Sequence, residues 1–346
     1  MQKINEIIEF ISTKINDENL WLKFFNLSQE ISCRYYAGSY KPGNSLEKFK
    51  KQRQDSAAND PTYDEYIIFE NGNAAGWFDL SLWENELYFG FDVLYNEIPG
   101  NLLKEILYKL KELMDSKGFT ESLYYTYREA IITSLKKTNV RVYEEFDISR
   151  LERVNMDETF YKSIVEDNAL NKWRLEYYND IPDSIIEHYT QRLNEYFSDM
   201  ASINPYGIKV PVYTAESLKK IIKSLNSNGT EMGVYILFDD NGKIAGICWL
   251  CFDLYRTETL RHNGGMTAVT PEYRGKGIAR FLKAKMYLKM LEENNDFRYI
   301  TTDTMPWNKY MFKINEEFGF KPYRKGCSFK ITKEFLENYL KLRQNY

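Results

Sequence analysis

The chain has 346 residues, of which 43% are hydrophobic, and this is enough apolar material for more than one domain of common size. Acidic and basic residues nearly cancel, and the net charge of -4 excludes a strong basic field for nucleic acid or anionic lipid. Aromatic residues make up 16% of the chain, which excludes a disordered protein. We therefore expect a globular protein of two domains without a nucleic-acid partner.

The sequence carries no export or membrane signal that we recognise. The first residues, MQKINEIIEFISTKINDENLW, place charges in every turn, and no uncharged stretch approaches the roughly 20 residues that cross a bilayer. Four cysteines are too few for a disulfide scaffold. Cys248 and Cys251 form a CxxC, but no second pair of ligands with zinc spacing accompanies them. We expect a cytoplasmic protein without membrane contact and without a metal site.

The first half of the chain predicts a hairpin followed by a helix. Residues 66–83 contain two β-forming runs joined by a polar turn, and residues 86–94 form a third run. Leucine and isoleucine then recur at helical spacing over 101–117, and Gly118 is typical of a helix C-terminus. Residues 123–127 predict the next strand.

The second half repeats this order. The elements predicted there are a strand over 173–178, a helix over 181–200, a helix after Thr214, a hairpin over 233–253 around Asn241-Gly242, a strand ending at Val269, a helix over 277–292, a strand over 298–303, a helix over 308–318 and a strand over 323–331. The repeat is architectural rather than literal. It predicts two copies of one α+β fold with a mixed sheet, in domains 1–150 and 151–346.

The most informative segment is a glycine-containing turn between a strand and a long helix, Arg274-Gly275-Lys276-Gly277-Ile278-Ala279. Backbone N–H groups at a helix N-terminus have no intrahelical partners and lie at the positive end of the helix dipole. Glycines permit close approach, and the two cations add positive charge beside the turn. The segment matches neither a Walker loop nor a dinucleotide fingerprint. It predicts a site for an anionic diphosphate.

This turn fits the pattern R/Q-x-x-G-x-G/A, and it follows a strand that ends V-x-P-x-Y. It resembles the acetyl-CoA pyrophosphate loop of the GNAT superfamily of N-acetyltransferases. A second segment, residues 301–323, is similar to the stretch of that superfamily in which an Asn opens a helix and a G-F turn follows. In this chain the residues of that stretch are Asn308, Met311, Ile314, Asn315, Gly319 and Phe320.

The full length resembles the subgroup with two GNAT folds in tandem, in the arrangement of mycothiol synthase. The resemblance implies two mixed, mostly antiparallel sheets flanked by helices, and acetyl-CoA as the co-substrate. The residues that it assigns to acetyl-CoA are Thr267, Ala268, Val269, Arg274, Gly275, Lys276, Gly277, Ile278, Ala279, Arg280 and Asn308. The first copy departs from the pattern, because Glu97 and a single Gly100 stand where its loop should lie. We expect that copy not to bind the cofactor.

The resemblance implies direct transfer of the acetyl group to an amine, which must be neutral when it attacks. Asp303, at the end of the fifth strand of the second copy, and His262, at the start of the fourth strand, are candidate bases. Glu258 and Asp253 are further candidates that would act through water. Many GNAT enzymes carry a Tyr acid where this chain has Asn315, so either Tyr310 replaces it or the thiolate leaves unaided.

Two functions remain open from the sequence. The first is an acetyl-CoA-dependent N-acetyltransferase for a primary amine of a small molecule or peptide. The second is a noncatalytic protein that binds acetyl-CoA or a partner, which the missing Tyr and the altered first copy favour. The acceptor site is built from loops whose sequence does not identify the amine. For the oligomeric state the sequence leaves a monomer or a homodimer.

Overall fold

The structure is a computed structural model that describes residues 7–35, 45–83, 86–166, 168–204, 210–227, 230–253, 259–261, 266–293 and 297–342. The chain divides into two compact units. Unit 1 contains Met1–Glu145 together with Lys325–Tyr346, and unit 2 contains Phe146–Arg324. The last residues of the chain therefore belong with unit 1, whereas the sequence places them in the second domain.

Unit 1 begins with a strand and two helices before the predicted hairpin. Its elements are β1 (Ile8–Ser12), α1 (Glu18–Tyr35), α2 (Leu46–Asn59), β2 (Asp64–Glu70), β3 (Asn73–Trp83), β4 (Glu86–Val93), α3 (Gly100–Lys117), β5 (Glu121–Thr126), α4 (Glu129–Lys136) and the start of β6 (Arg141–Glu152). The strands lie in the order β1-β2-β3-β4-β5, and β4 and β5 are parallel at Tyr88 and Leu123.

The sheet of unit 1 is covered by helices on both faces, and the side-chain alternation of its strands explains why. In β2, Ile67 and Phe69 pack with α1 and α2, whereas Ile68 between them packs on the face covered by α3. Successive side chains of a strand point to opposite faces, so a strand buried on both sides carries a continuous apolar run. This run is what the sequence shows between residues 66 and 69.

Unit 2 repeats the arrangement. Its elements are the end of β6, α5 (Glu158–Val165), β7 (Arg174–Tyr178), α6 (Ile186–Ser202), α7 (Ala215–Ser227), β8 (Thr230–Phe238), β9 (Ile244–Asp253), β10 (Thr259–Arg261), β11 (Thr267–Val269), α8 (Ile278–Glu293), β12 (Tyr299–Thr304), α9 (Lys309–Glu317) and the start of β13 (Lys321–Thr332). The strands lie in the order β7-β8-β9-β10-β12-β6, and β11 pairs with β9. In β9, Cys248 and Leu250 pack with α8, while Trp249 and Cys251 pack with α6 and α7.

The helix and strand predictions are confirmed for both hairpins and for the helices that follow them, with ends shifted by a few residues. The domain boundary differs at the C-terminus. The second half of β13 pairs with β5, from Cys327 opposite Thr126 to Thr332 opposite Glu121. The last helix, α10 (Lys333–Leu342), buries Leu336 and Leu340 in the core of unit 1 beside α3. The sequence analysis did not predict this helix, although Phe335, Leu336, Tyr339 and Leu340 recur there at helical spacing.

None of the described helices is long and apolar enough to span a membrane. Cys33, Cys248, Cys251 and Cys327 are free thiols, and Cys248 and Cys251 lie on opposite faces of β9. Among the residues that the structure describes, no group of three His, Cys, Asp or Glu side chains is arranged to hold a metal ion.

Candidate active site in unit 2

The sheet of unit 2 opens between β11 and β12. The short strand β10 pairs in parallel with β12, from Thr259 opposite Tyr299 to Arg261 opposite Thr301. The next strand, β11, remains on β9, with Thr267 opposite Cys248 and Val269 opposite Gly246. In the described part of the sheet β11 does not pair with β12. We call the region between β11 and residues 302–304 of β12, two segments that share no described strand pairing, the strand gap.

The end of β11 is held firmly in place. Thr270 is fully buried, its hydroxyl donates to the carbonyl of Ile244 at 2.8 Å, and the Tyr196 hydroxyl donates to it at 2.8 Å. A short 3-10 turn then leads to Tyr273, whose hydroxyl donates to the Asp239 carboxylate at 2.6 Å. These bonds fix where the following glycine turn begins relative to the sheet.

The glycine turn that precedes α8 is exposed. Gly275 and Gly277 both have φ of +77°, and a Cβ atom built at either position would meet nothing within 4 Å. Glycine is therefore favoured there by backbone conformation, since the left-handed region is strained for residues with a side chain. The first three N–H groups of α8 lack an intrahelical acceptor because they begin the helix. The turn and the helix end together leave a row of backbone donors open to solvent.

The cations beside the turn differ in their partners. Arg274 pairs with Asp199 and Arg280 pairs with Glu317, and all four side chains are substantially exposed. Lys276 lies over the rings of Tyr273 and Trp173, at 5.2 Å and 5.9 Å from the ring centroids. No carboxylate of the described residues pairs with Lys276. An incoming anion therefore finds one unpaired cation at this turn and two that must exchange a carboxylate partner.

These residues fit the diphosphate of acetyl-CoA, which the sequence resemblance implies. Left-handed glycines turn consecutive N–H groups toward one side, and the N-terminus of a 16-residue helix adds its dipole. Because a Cβ at either glycine would meet no atom within 4 Å, a ligand has room to approach the backbone itself. The turn follows β11 after Thr270 and one short 3-10 turn, so a ligand held there can extend into the strand gap.

The other residues assigned to acetyl-CoA lie along the same path. Thr267, Ala268 and Val269 are half-buried along β11, and the Thr267 hydroxyl lies 3.4 Å from the Cys248 sulfur. Asn308 is the N-cap of α9, where its side-chain oxygen accepts from the Met311 N–H at 3.2 Å. This capping bond explains Asn308 without a ligand, so its contact with acetyl-CoA stays a prediction.

The three catalytic candidates have different surroundings. Asp303 lies in β12 beside the strand gap, and burial raises the pKa of its carboxyl above the usual range. A carboxylate of raised pKa is a stronger base than an exposed one. The Tyr310 side chain is 88% exposed on α9. His262 lies outside the described residues, as does Glu258, and the side chain of Asp253 is not described.

The structure also brings together a polar cluster that the sequence did not identify. Lys283 is fully buried in α8, and its ammonium donates to the Asn315 side-chain oxygen at 2.6 Å. The Asn315 amide in turn donates to the Thr304 hydroxyl at 3.0 Å. Burial lowers the pKa of Lys283 to about 8. The available signal was the position of Lys283 four residues before Tyr287, in the apolar stripe of α8.

Unit 1 contains the equivalent strand ends, at β4 and β5, but a side chain fills the space between them. The Arg128 guanidinium, 5% exposed, donates to the carbonyls of Val93 at 2.7 Å and Tyr95 at 2.5 Å. It also pairs with the buried Asp92 carboxylate and covers the Tyr35 ring at 3.4 Å from the centroid. The carbonyl groups that follow β4 are thus satisfied by this chain's own side chain.

The turn before α3 also differs from the turn before α8. Pro99 is the N-cap of α3 and makes no side-chain capping bond. A cavity of about 360 Å³ lies beside it, and its wall includes the side chains of Glu97 and Glu129 as well as Lys137. Two carboxylates repel a diphosphate, and unit 1 has no left-handed glycine at this turn.

Comparison with known proteins gives a family for part of the chain and a fold for most of it. Residues 192–320 match the model of the acetyltransferase (GNAT) family. A search of the curated proteins gives no match. A tandem GNAT protein from the clavulanic acid biosynthesis pathway, solved without acetyl-CoA, is similar with a TM-score of 0.71 and 14% identity, covering 94% of this chain and 99% of that chain.

Two further solved structures are also similar to this chain. A GCN5-related N-acetyltransferase from Sphaerobacter thermophilus has a TM-score of 0.64 and 11% identity, covering 96% of this chain and 97% of that chain. The N-myristoyltransferase of Saccharomyces cerevisiae, with bound myristoyl-CoA and inhibitors, has a TM-score of 0.52 and 11% identity, covering 94% of this chain and 80% of that chain. Residues 192–320 are therefore a GNAT acetyltransferase domain, and the chain has the fold of a tandem GNAT protein.

Proposed function

We propose that this protein is an acetyl-CoA-dependent N-acetyltransferase that moves an acetyl group directly to a primary amine of a small molecule or peptide. The observation that carries the proposal is the exposed turn with left-handed Gly275 and Gly277, which leads from the edge of the strand gap into α8. Backbone donors, a helix dipole and Lys276 converge there, and together they favour a diphosphate.

We assign cofactor binding to unit 2 alone. In unit 1, Arg128 occupies the space between the strand ends, and the turn before α3 carries a proline and a nearby glutamate in place of paired glycines. Burying the Arg128–Asp92 pair makes the closed arrangement costly to open, since separating such a pair leaves an unpaired charge in the core. One molecule of acetyl-CoA should therefore bind per chain.

In the proposed reaction acetyl-CoA supplies an activated acetyl thioester, and the residues around the strand gap supply orientation and proton transfer. The edge of β11 that pairs with no described strand presents backbone N–H groups that can polarise a carbonyl. Asp303 accepts the proton that the attacking amine loses, directly or through a water molecule. Its raised pKa keeps the carboxylate basic enough to take that proton. His262 remains the alternative base.

The acceptor is proposed to be a neutral primary amine, because an ammonium has no lone pair with which to attack. With a net charge of -4 the chain has no overall basic field, so a nucleic acid is not expected as the acceptor. The free cysteines fit a reducing compartment, and we place the protein in the cytoplasm, as a monomer or homodimer.

Two measurements on the full chain test the proposal. Isothermal titration calorimetry with acetyl-CoA should give one site per chain, and two equivalent sites would contradict the assignment to unit 2. An assay of thiol release with a panel of primary amines should show CoA production that depends on the amine. Binding without release for any amine would favour the noncatalytic alternative. Absence of binding would reject the acetyltransferase and leave only noncatalytic binding of another partner.

A further inference from the structure

The cluster of Lys283, Asn315 and Thr304 is a buried polar group that proton transfer by Asp303 does not use. Their exposed fractions are 1%, 2% and 3%, so the whole cluster is shielded from solvent. Buried polar groups in a protein core are retained only when they are well hydrogen-bonded, because leaving one unsatisfied is costly. A buried lysine is rarer still, and it requires an explanation of its own.

The hydrogen bonds in this cluster all run in one direction. The Lys283 ammonium donates to the carbonyl oxygen of the Asn315 side chain, and the amide nitrogen of Asn315 donates to the Thr304 hydroxyl. Since the Thr304 oxygen is already accepting, its own proton is left to donate onward. The described residues provide no acceptor for it. A chain of this kind polarises each member in turn, so its last hydroxyl is a stronger donor than an isolated one.

The charge at the start of this chain has no counter-ion. No carboxylate of the described residues pairs with Lys283, whose remaining neighbours are the Met311 sulfur at 3.9 Å, the rings of Tyr287 and Phe320, and the Cys248 thiol. The Cys248 thiol stays protonated, because burial raises its pKa to about 11. An uncompensated ammonium in the core attracts an anion that can come near it.

The strand gap is the place where an anion can approach. Thr304 is the last residue of β12, on the same face as Ile300, which packs with α8. Cys248, which is near Lys283, contacts Thr267 of β11. The cluster therefore lies beneath the strand gap and reaches both of its walls, and the ligand proposed for that gap carries a thioester.

We propose that Lys283, acting through Asn315 and Thr304, stabilises the thiolate of coenzyme A in the strand gap. The inference rests on the proposed function, since it assumes that acetyl-CoA binds there. The amine nitrogen bonds to the acetyl carbon, and the carbon–sulfur bond breaks with its electron pair remaining on sulfur. The amine proton goes to the base, and the thiolate takes a proton from water on release. Lys283 is thus a positioning residue, and it neither gains nor loses a covalent bond.

The test measures the thiol of bound coenzyme A and needs no acceptor amine. The thiolate absorbs in the ultraviolet, so titrating the complex of full-length protein with coenzyme A reports the pKa of the bound thiol. We expect its pKa about one pH unit below that of free coenzyme A titrated under the same conditions. Calorimetry with desulfo-coenzyme A, which lacks the sulfur, measures the affinity of the rest of the molecule independently.

Two variants and one control separate this role from simple packing. Lys283→Met removes the charge and shortens the side chain by one atom, while Thr304→Val replaces only the terminal hydroxyl with a methyl group. Both should return the bound thiol to its ordinary pKa and leave the affinity for desulfo-coenzyme A unchanged. Lys285→Met, on the same helix over the Phe281 ring, should behave as the wild type. Because Thr304→Val retains Lys283, it tests the proposal even if Lys283→Met does not fold.

The outcomes distinguish this inference from the function on which it rests. If coenzyme A binds and its thiol has the same pKa in the wild type, Lys283→Met and Thr304→Val, the inference is overturned and the binding site stands. If neither coenzyme A nor desulfo-coenzyme A binds, the proposed function fails and this inference fails with it. If Lys285→Met abolishes the shift as well, a general effect of charge replaces the specific chain of hydrogen bonds.

Discussion

The two units solve the same structural problem in opposite ways. Each has a pair of strand ends followed by a helix, and in each the backbone there needs hydrogen-bond partners. In unit 1 the Arg128 guanidinium supplies them to Val93 and Tyr95. In unit 2 the strand gap is left to a ligand, and the turn with Gly275 and Gly277 keeps the approach open. One framework is thus completed by its own side chain, and we propose that a co-substrate completes the other.

The buried cations of the two units also differ in how their charges are balanced. Arg128 is paired with Asp92 and with two carbonyls, so its charge is balanced within the fold. Lys283 has an amide and a thioether as partners but no carboxylate among the described residues. A balanced buried charge serves stability, whereas an unbalanced one reduces stability and is available to an anion. Substitution of either Arg128 or Lys283 tests this difference between the two units.

The largest effect is expected from Arg128→Ala in unit 1. Removing the guanidinium leaves the Asp92 carboxylate and two carbonyls buried without this partner, and loss of one member of a buried pair lowers the free energy of unfolding by about 3–5 kcal/mol. Denaturant unfolding followed by circular dichroism measures the loss. The double variant Arg128→Met with Asp92→Asn should recover part of it, because no full charge is then left unpaired. If Arg128→Ala is as stable as the wild type, the Arg128–Asp92 pair does not stabilise the strand ends of unit 1.

The next effect concerns pH and Lys283. Its pKa of about 8 in the folded state lies below the ordinary 10.5, so between these pH values the unfolded chain binds a proton that the folded chain does not. Stability therefore rises with pH over that interval, by roughly 3 kcal/mol for this one group. The free energy of unfolding, measured at several pH values, should therefore rise more steeply with pH for the wild type than for Lys283→Met. Parallel curves would contradict a pKa of Lys283 that burial lowers in the folded protein.

Sequence reasoning predicted the local elements better than their partners. The glycine turn, the hairpins and α8 follow from periodicity and turn chemistry, which are local properties. The packing of residues 325–346 with unit 1 depends on β13 pairing with β5, a contact between residues about 200 apart in the chain. Such pairings leave no local signal, because any strand with the right alternation can make them.

The candidate site shows the same division. Residues 274–279 could be selected because a turn before a helix has a recognisable chemistry. The contact between Lys283 and Asn315, 32 residues apart, could not, because it depends on how α8 and α9 pack. Arg128 was missed for a similar reason, since a lone arginine after a strand is usually exposed. The hydrogen-bond partners of both buried cations are brought near only by the tertiary fold.

A third prediction tests whether the glycine turn before α8 in unit 2 is the diphosphate site. Gly277→Val should weaken binding of acetyl-CoA about 100-fold, because a β-branched residue resists the left-handed conformation and its side chain occupies the space of the diphosphate. Calorimetry of the full chain measures the change. Gly72→Val is the matched control, since Gly72 also has a left-handed φ, of +81°, with no atoms within 4 Å, and lies in a turn of unit 1. If both variants bind acetyl-CoA as the wild type does, the turn is not the diphosphate site.

The smallest effect separates the two candidate bases. Asp303→Asn should lower the rate of acetyl transfer about tenfold, which is less than the roughly 100-fold or more that a general base contributes, because water can relay the proton. His262→Gln should lower the rate less. A base works as the carboxylate, so the wild-type rate should fall as pH drops through the raised pKa of Asp303, and this fall should be absent in Asp303→Asn. Steady-state rates with one amine across a pH series measure both. If both variants show the same dependence of rate on pH as the wild type, Asp303 is not the base. If the fall in rate at low pH is lost only in His262→Gln, His262 is the base instead.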